Sequence, residues 1–477
     1  MRHDELTSDT AIEDMIDVIR LSPKPFPDGW HSWENTKKAM RRLADERVAE
    51  LLVASKPPTE WSGHGIVTAG GGDKYFPSLW VLVNQIRRVG CKLPIQLWHL
   101  GRAELDPAMR NLLAPFGVEF VDAREHEKKY PCRILNGWEL KPYSILHSPF
   151  REVLFLDADD TPLRDPTPLF NAPKYRELGS ILWPDHPHWT LTDKHWQRFA
   201  IDPKFPVPAK IPNDWKSFGR MIPRCYDTPI ESGQLLIDKS HCWRELSLAL
   251  WYCEHSDYCF SYSGQGDRVH GDKETFHLAW RKFKTEYAQP PVWPDWDIHT
   301  MTQHDMDGYP LFLHRTQDKW KYDCSVNRKG FDLAGESDLF EIAKILPTVW
   351  NGRVWDNGSP TDAEKERMTQ LARKEYTYHR IGLDNGISRT MRLAADGAIT
   401  EGGGEMERRW SLWSNGDTLS ICGKDGLTCL LEPCSDGIWR GRWDIHEKCE
   451  VELRPVKKMM NCVVKQTSNG LVLAAKG

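Results

Sequence analysis

The spacing of apolar positions changes twice along the chain, and each regime predicts a different architecture. In residues 1–60 the period is helical. Ala39, Met40, Leu43, Ala44, Val48, Leu51 and Leu52 share one face, with Lys37, Lys38, Arg41 and Arg42 on the solvated face. Thr10 and Glu13 form a capping-box pattern at the start of an earlier helix. From residue 65, short apolar runs alternate with helical stretches. Strands are expected at 65–69, 94–100, 118–121, 153–156, 180–183, 233–237 and 310–313. Helices are expected at 77–89, 107–115, 140–147, 241–255 and 272–283. This alternation predicts an α/β unit with a largely parallel sheet and helices on its faces. The Pro-rich section 184–229 lacks periodicity and reads as a long irregular insertion. A charged helical segment at 361–376 precedes alternating runs separated by Asp396-Gly397, Asn415-Gly416, Asp425-Gly426 and Asp436-Gly437. Such pairs tolerate the positive φ of tight hairpins, so a small all-β barrel or sandwich is expected. The organisation read from the pattern is a helical lead-in (1–60), an α/β domain (61–358), a helical linker (359–380) and an all-β accessory domain (381–477).

Composition narrows the function classes. The 477 residues carry 63 Lys and Arg against 68 Asp and Glu, a net charge of −5. That balance argues against a nucleic-acid partner, which would need a basic surface. No apolar run is long enough to span a membrane, and the acidic N-terminus has no signal-peptide pattern. A cytoplasmic or peripheral location is therefore expected. The 12 Cys form no CxxC pair and read as mostly reduced, buried thiols, although the five in the last 56 residues could pair in an oxidising compartment. The 22 Trp are the unusual count. Trp183, Trp189, Trp196 and Trp215 in the irregular insertion, and Trp293 and Trp296 on a Pro-rich loop, are candidates for stacking on sugar rings.

The sharpest chemical signal is VLFLDADD at 153–160, an apolar strand ending in Asp157-Ala158-Asp159. A turn at a strand end can aim both carboxylates at one ion, and hard oxygen ligands suit Mn²⁺ or Mg²⁺ on a diphosphate. A solvated turn or helix cap is the plain structural alternative. Asp157 to Thr161 also fits the DxDxT start of haloacid-dehalogenase-like phosphatases, but at least three strand candidates come earlier, and Phe276 stands where the later GDxxxD motif needs Asp. The Gly70-Gly71-Gly72 triplet after the first strand would let backbone N–H groups approach a nucleotide, with Tyr75 stacking on its base. A plain turn serves equally well there. Asp122, after the 118–121 strand, could reach a ribose or cap a helix.

Five blocks in order resemble the fungal-type Golgi α-mannosyltransferase family, glycosyltransferase family 71, and more distantly the glycogenin-like retaining transferases. They are GIVTAGGGDKYFPSLWVLVNQIRRVGCKLPIQLWHLG, ELKPYSILHSPFREVLFLDADDTPLRDPTPLF, ESGQLLIDK, GDKETFHLAW and LFLHRTQDKW. The resemblance covers about 64–322 and implies a GT-A fold. It further implies a metal-dependent retaining transferase moving a hexose, in the first place mannose from GDP-mannose, to a glycan or glycoconjugate hydroxyl. By this likeness Asp157, Asp159 and His314 resemble metal ligands for Mn²⁺ or Mg²⁺, while Lys141 and Lys319 resemble diphosphate contacts. Asp272 and Glu231 are candidates for donor-sugar or acceptor contacts, and Gln234 for the group beneath the anomeric carbon. The chain departs from the fungal pattern in its missing N-terminal anchor and its additional β module. The alternatives are a UDP-hexose transferase of the same fold, a catalytically inactive glycan-binding protein, and the phosphatase.

Overall fold

The computed structural model describes residues 45–46, 48–50, 52–53, 60–185, 193–201, 216–217, 220–221, 230–260, 269, 271–297, 299–325, 333, 335–381, 387–424, 426–443, 449–456, 462–467 and 470–475. Two compact units divide the chain, 1–350 and 351–477. The capping box at Thr10 lies outside the described residues, as does most of the 184–229 insertion. The second N-terminal helix is seen as helical backbone at 45–46, 48–50 and 52–53.

In chain order the strands of the first unit used below are β1 (His64–Ala69), β2 (Ile95–His99), β3 (Val118–Asp122), β4 (Glu152–Leu156), β5 (Asp160–Pro162), β6 (Ser180–Pro184), β7 (Ile230–Asp238), β8 (Asp295–Asp297), β9 (Thr300–His304) and β10 (Pro310–His314). Its helices used below are α1 (Gly72–Arg88), α2 (Pro107–Leu113), α3 (Ala123–Glu127), α4 (Leu140–His147), α5 (Lys239–Glu254), α6 (Lys273–Phe283) and α7 (Glu336–Val349). The main sheet has the order β3-β2-β1-β4-β7-β6. β3, β2, β1 and β4 pair in parallel, and β7 runs antiparallel to both neighbours. The largely parallel sheet expected from the alternation is present, with β7 as its reversed strand.

Burial explains the apolar runs. Every residue of β2 and β4 is buried, as strands covered on both faces require. In α1, Phe76, Leu79, Val83 and Ile86 recur at intervals of three and four and face the core. The helix begins at Gly72, five residues before the expected start, so Pro77 lies inside it. Its missing N–H forgoes only the bond to the Asp73 carbonyl, near the helix start. One apolar cluster links Val67, Trp98, Tyr143, Phe155, Leu235, Leu246, Phe276 and Trp280.

A second sheet, β8-β9-β10-β5, is antiparallel throughout. The polar sequence TMTQH of β9 hides a strand whose five residues are all buried. It is tied to β6: Gln303 Nε2 donates to the Pro184 carbonyl and the His304 carbonyl accepts from Trp183 Nε1, while Thr300 Oγ1, Gln303 Oε1 and His304 Nδ1 have no hydrogen-bond partner among the described residues. β5 starts directly after the Asp157-Ala158-Asp159 turn, and its pairing with β10 sets Asp160 opposite His314.

The second unit opens with α8 (Asp362–Ala372), started by a full capping box between Thr361 and Glu364. The helix stops short of the expected 376, because Tyr376 lies in β11 (Glu375–Ile381) with its side chain buried. There follow β12 (Ser388–Leu393), β13 (Ile399–Glu401), β14 (Arg409–Trp413), β15 (Thr418–Gly423), β16 (Gly426–Pro433), β17 (Trp439–Trp443) and β18 (Glu450–Pro455). Their order is β13-β12-β11-β18-β17-β16-β15-β14. A bridge between Ala398 and Arg409 joins the two ends, so the sheet closes into a barrel. Gly397, Gly416, Gly426 and Gly437 all have positive φ between consecutive antiparallel strands, as the hairpin reading requires. Tyr378, Trp410, Leu412, Ile421, Leu431 and Leu453 fill the barrel.

Candidate functional site

Gly70, Asp122, Asp157 and Asp185 each end or follow a strand running the same way: β1, β3, β4 and β6. The start of reversed β7 joins them at this edge. Ligands of open α/β sheets bind at such an edge.

The turn between β4 and β5 carries the acidic pair. The Asp157 N–H donates to the Gly233 carbonyl at 2.7 Å, and the Asp157 carbonyl accepts from the Asp160 N–H at 3.0 Å. The Asp159 carbonyl accepts from the Arg315 N–H at 2.9 Å, which ties the turn to the end of β10. Asp157, Asp159 and His314 each present a ligand atom within 4.8 Å of the others. His314 Nε2 lies 3.8 Å from Asp159 Oδ1, and its Nδ1 lies 3.6 Å from Glu231 Oε1. The imidazole packs against Gly233, where a Cβ would fall 2.5 Å from the ring. Glu231 Oε1 also accepts from the Gly233 N–H at 2.9 Å.

Lys141 projects from α4 into a set of four acceptors. Its Nζ approaches Asp157 Oδ2 at 3.0 Å, Asp272 Oδ2 at 2.9 Å, and Ser232 O and Oγ at 3.0 and 2.8 Å. Four acceptors use all three ammonium protons. In this arrangement Lys141 ties Asp157 to Asp272. Lys319 pairs with Asp159 and keeps a third of its side chain exposed.

Burial and charge set the protonation states. Burial pushes the Asp157 carboxyl up to about 6, with Lys141 opposing it. Burial likewise lifts Asp160 to about 8. For Asp159 burial acts in the same sense, but His314 and Lys319 outweigh it and hold the carboxyl below its ordinary range. His314 is raised, because Glu231 and the three aspartates outweigh its burial. Two oxygen ligands and an imidazole form a donor set suited to Mn²⁺ or Mg²⁺.

The remaining candidates are placed as follows. Gly70 has φ +149°, and its N–H donates to the Trp98 carbonyl at 2.9 Å. A Cβ on Gly71 would fall 2.6 Å from the Glu104 carbonyl oxygen, so close backbone packing explains that glycine. Tyr75 is partly exposed in the first turn of α1, within electrostatic range of Lys319. Asp122 caps α3, its Oδ1 accepting from the Arg124 and Glu125 N–H groups. Gln234 is fully buried, and neither atom of its amide has a hydrogen-bond partner. Asp272 precedes α6 without capping it through its side chain; its Oδ2 accepts from Ser232 Oγ at 3.2 Å.

The sequence reasoning missed three groups. Ser232 links Lys141 and Asp272. Asp185 forms an ion pair with Lys273, which also stands 3.8 Å from Glu274 Oε1. Burial pushes Glu274 up to about 7. Asp185 was detectable as an acidic residue directly after a strand; Lys273 was masked by the acids on either side of it. The stacking candidates are corrected as well. Trp183, Trp196 and Trp293 are buried, because each fills the core at the base of its loop. Trp189, Trp215 and the side chain of Trp296 lie outside the described residues. Cys91, Cys132, Cys242 and Cys253 are buried free thiols.

A family model described as "Mannosyltransferase putative" matches residues 63–304. Alpha-1,2-mannosyltransferase MNN5 of Saccharomyces cerevisiae is 26% identical over 338 residues, covering 62% of this chain and 57% of the relative. Alpha-1,2-mannosyltransferase MNN24 of Candida albicans is 28% identical over 280 residues, covering 53% and 37%. The chain thus spans about half the length, or less, of these curated relatives. Among solved structures, the galactosyltransferase LgtC in complex with donor and acceptor sugar analogues is similar at TM-score 0.35 and 14% identity, covering 59% of this chain and 95% of that one. Mouse xyloside xylosyltransferase 1 is similar at TM-score 0.31 and 15% identity, covering 47% and 82%. No helix among the described residues is long and apolar enough to cross a membrane.

Proposed function

Because the chain belongs to the mannosyltransferase family matched over residues 63–304, we propose that it transfers mannose from GDP-mannose to a hydroxyl of a glycan or glycoconjugate, with retention at the anomeric carbon. The observation that carries this reading is the convergence of Asp157, Asp159 and His314 within 4.8 Å at the ligand-binding edge of the sheet. These residues would hold Mn²⁺ or Mg²⁺. A bound divalent ion supplies charge stabilisation for the departing diphosphate.

The chain's own residues do the rest. Lys319, beside Asp159 and partly exposed, offsets negative charge building on the leaving group. Lys141 fixes the positions of Asp157 and Asp272. Asp272 and Glu231 offer carboxylates to sugar hydroxyls, and the unpartnered Gln234 amide lies one residue beyond Gly233 on the same strand. Asp185 and Lys273 extend this polar wall. In the reaction the bond from the anomeric carbon to the diphosphate oxygen breaks and the bond to the acceptor oxygen forms. The hydroxyl proton leaves with the diphosphate. The family match and the intact triad favour this reading over the phosphatase and the inactive glycan binder.

Thermal unfolding with GDP-, UDP- and CMP-sugars, each with and without Mn²⁺, tests the donor assignment. Ligand that binds the native state raises the transition temperature. GDP-mannose with Mn²⁺ should give the largest rise. A larger rise with a UDP-hexose would reassign the donor, and no rise with any nucleotide sugar would remove the proposal's basis.

A further inference from the structure

The described tryptophans of the irregular loops are buried, and the most exposed tryptophan lies elsewhere. Trp138 is 38% exposed, the most exposed Trp among the described residues. It sits just ahead of α4, and its carbonyl accepts from the Lys141 N–H at 3.3 Å. The Lys141 ammonium in turn holds Asp157 and Asp272. The next residue, Glu139, is buried, and its carboxyl is raised mainly by burial, with Asp272 adding to the effect. On its other side the indole packs against Phe260, with ring centroids 5.4 Å apart at 60°. Phe260 bridges to Val269, three residues before Asp272. Trp138 is thus joined to the Lys141 backbone and, through Glu139 and Phe260, to the segment that leads to Asp272.

The segment that presents this ring is anchored. Cys132 and Leu135 are buried, and the Arg133 N–H donates to Glu254 Oε1 at 2.8 Å. Arg133 Nη1 also donates to the Glu254 carbonyl. A fixed, half-uncovered indole costs little ordering entropy when a ligand arrives, since its two side-chain torsions are already set. Its apolar face complements the C–H face of a pyranose, and its Nε1–H offers one donor to a hydroxyl.

We infer that Trp138, backed by Phe260, is the stacking platform for the acceptor sugar. This rests on the transferase reading above and adds to it the residue that recognises the acceptor. The occupant is a neutral hexopyranose at the end of a glycan, held by ring stacking rather than by charge.

The test uses the full chain with GDP-mannose, Mn²⁺ and mannotriose as the acceptor probe. In Trp138→Ala the acceptor KM should rise about tenfold or more relative to the donor KM, and Trp138→Phe should recover most of that loss. A melting temperature within the error of wild type for both variants separates lost stacking from lost folding. An acceptor KM unmoved in Trp138→Ala, with wild type active, overturns the inference and leaves the transferase reading standing. Wild type that transfers nothing from any nucleotide sugar overturns the reading itself and the inference with it.

Discussion

The two units each bury a cluster of charged side chains, and the clusters differ in how well they satisfy themselves. In the barrel one carboxylate, Glu407, accepts from Tyr378 and Arg380 through Oε1 and from the Gly404 N–H through Oε2, with Arg389 at 2.7 Å. Burial would raise its carboxyl, but the two guanidinium groups hold it below the ordinary range. In the α/β unit Asp157, Asp159, Asp160, Glu231 and Asp272 crowd around Lys141, Lys319 and His314, and burial leaves Asp157 at about 6 and Asp160 at about 8. A carboxylate with donors to spare staples a fold. Carboxylates short of cations at the edge of a sheet are what the proposed metal site requires. The four barrel tryptophans are buried, as are Trp98, Trp183, Trp280 and Trp320 of the α/β unit, whereas Trp138 is exposed.

Mutation of one acid in each cluster should break the comparison most visibly. Asp157→Asn removes a proposed metal ligand, so transfer should fall by at least roughly a hundredfold. The melting temperature should hold or rise, because the native state already disfavours that charge. Glu407→Ala should do the reverse: it leaves two half-buried arginines without their carboxylate and costs about 3 kcal/mol of barrel stability by denaturant unfolding. Transfer measured below the unfolding transition should persist. Equal effects on activity and stability in both variants would erase the distinction between the clusters.

Gly233→Ala probes the same site sterically. The new methyl would press on the His314 ring at 2.5 Å. Displacing that imidazole should reduce kcat/KM by roughly a hundredfold, the order expected when a reacting group is misplaced by about 1 Å. An unchanged kcat/KM would show that the position of His314 is immaterial.

A further expected effect concerns pH and appears only across an acidic window. Burial holds the His277 imidazole on α6 down to about 4. The unfolded chain takes up this proton near the ordinary value of about 6.5, and the native state does so only near 4. The stability it contributes is therefore intact above about 6.5 and lost as pH falls through that window, up to roughly 3 kcal/mol. The readout is the stability difference between wild type and His277→Gln, since Glu274 on the same helix, raised to about 7, acts in the opposite sense. A pH-independent difference would contradict a neutral buried imidazole.

Much of this contrast is legible in the sequence, and the parts that are not share a cause. Local patterns were sufficient for β4 and its acidic end, for α4, and for the Asp-Gly and Asn-Gly hairpins, because each depends on neighbours within a few residues. The position of His314 depends on β10 pairing with β5, which are far apart in the chain. The polar strand β9 is bonded to Trp183 and Pro184 of β6, a long-range pairing that periodicity does not reveal. The role of Lys141 follows from Ser232 and Asp272, both distant in sequence. Trp exposure was misjudged for the same reason. Loop membership suggested access for Trp183, Trp196 and Trp293, whereas tertiary packing buries them and leaves Trp138 uncovered.

The central claim is that the acidic turn and His314 make this chain a metal-dependent mannosyltransferase. The most direct measurement is transfer from radiolabelled GDP-mannose to mannotriose by the purified chain, assayed with Mn²⁺, after EDTA, and after Mn²⁺ is restored. The account predicts labelled tetrasaccharide with Mn²⁺, none after EDTA, recovery on restoring the ion, and no product from Asp157→Asn under any condition. Folded protein that yields no labelled product with Mn²⁺, or yields it equally in EDTA, would contradict the claim.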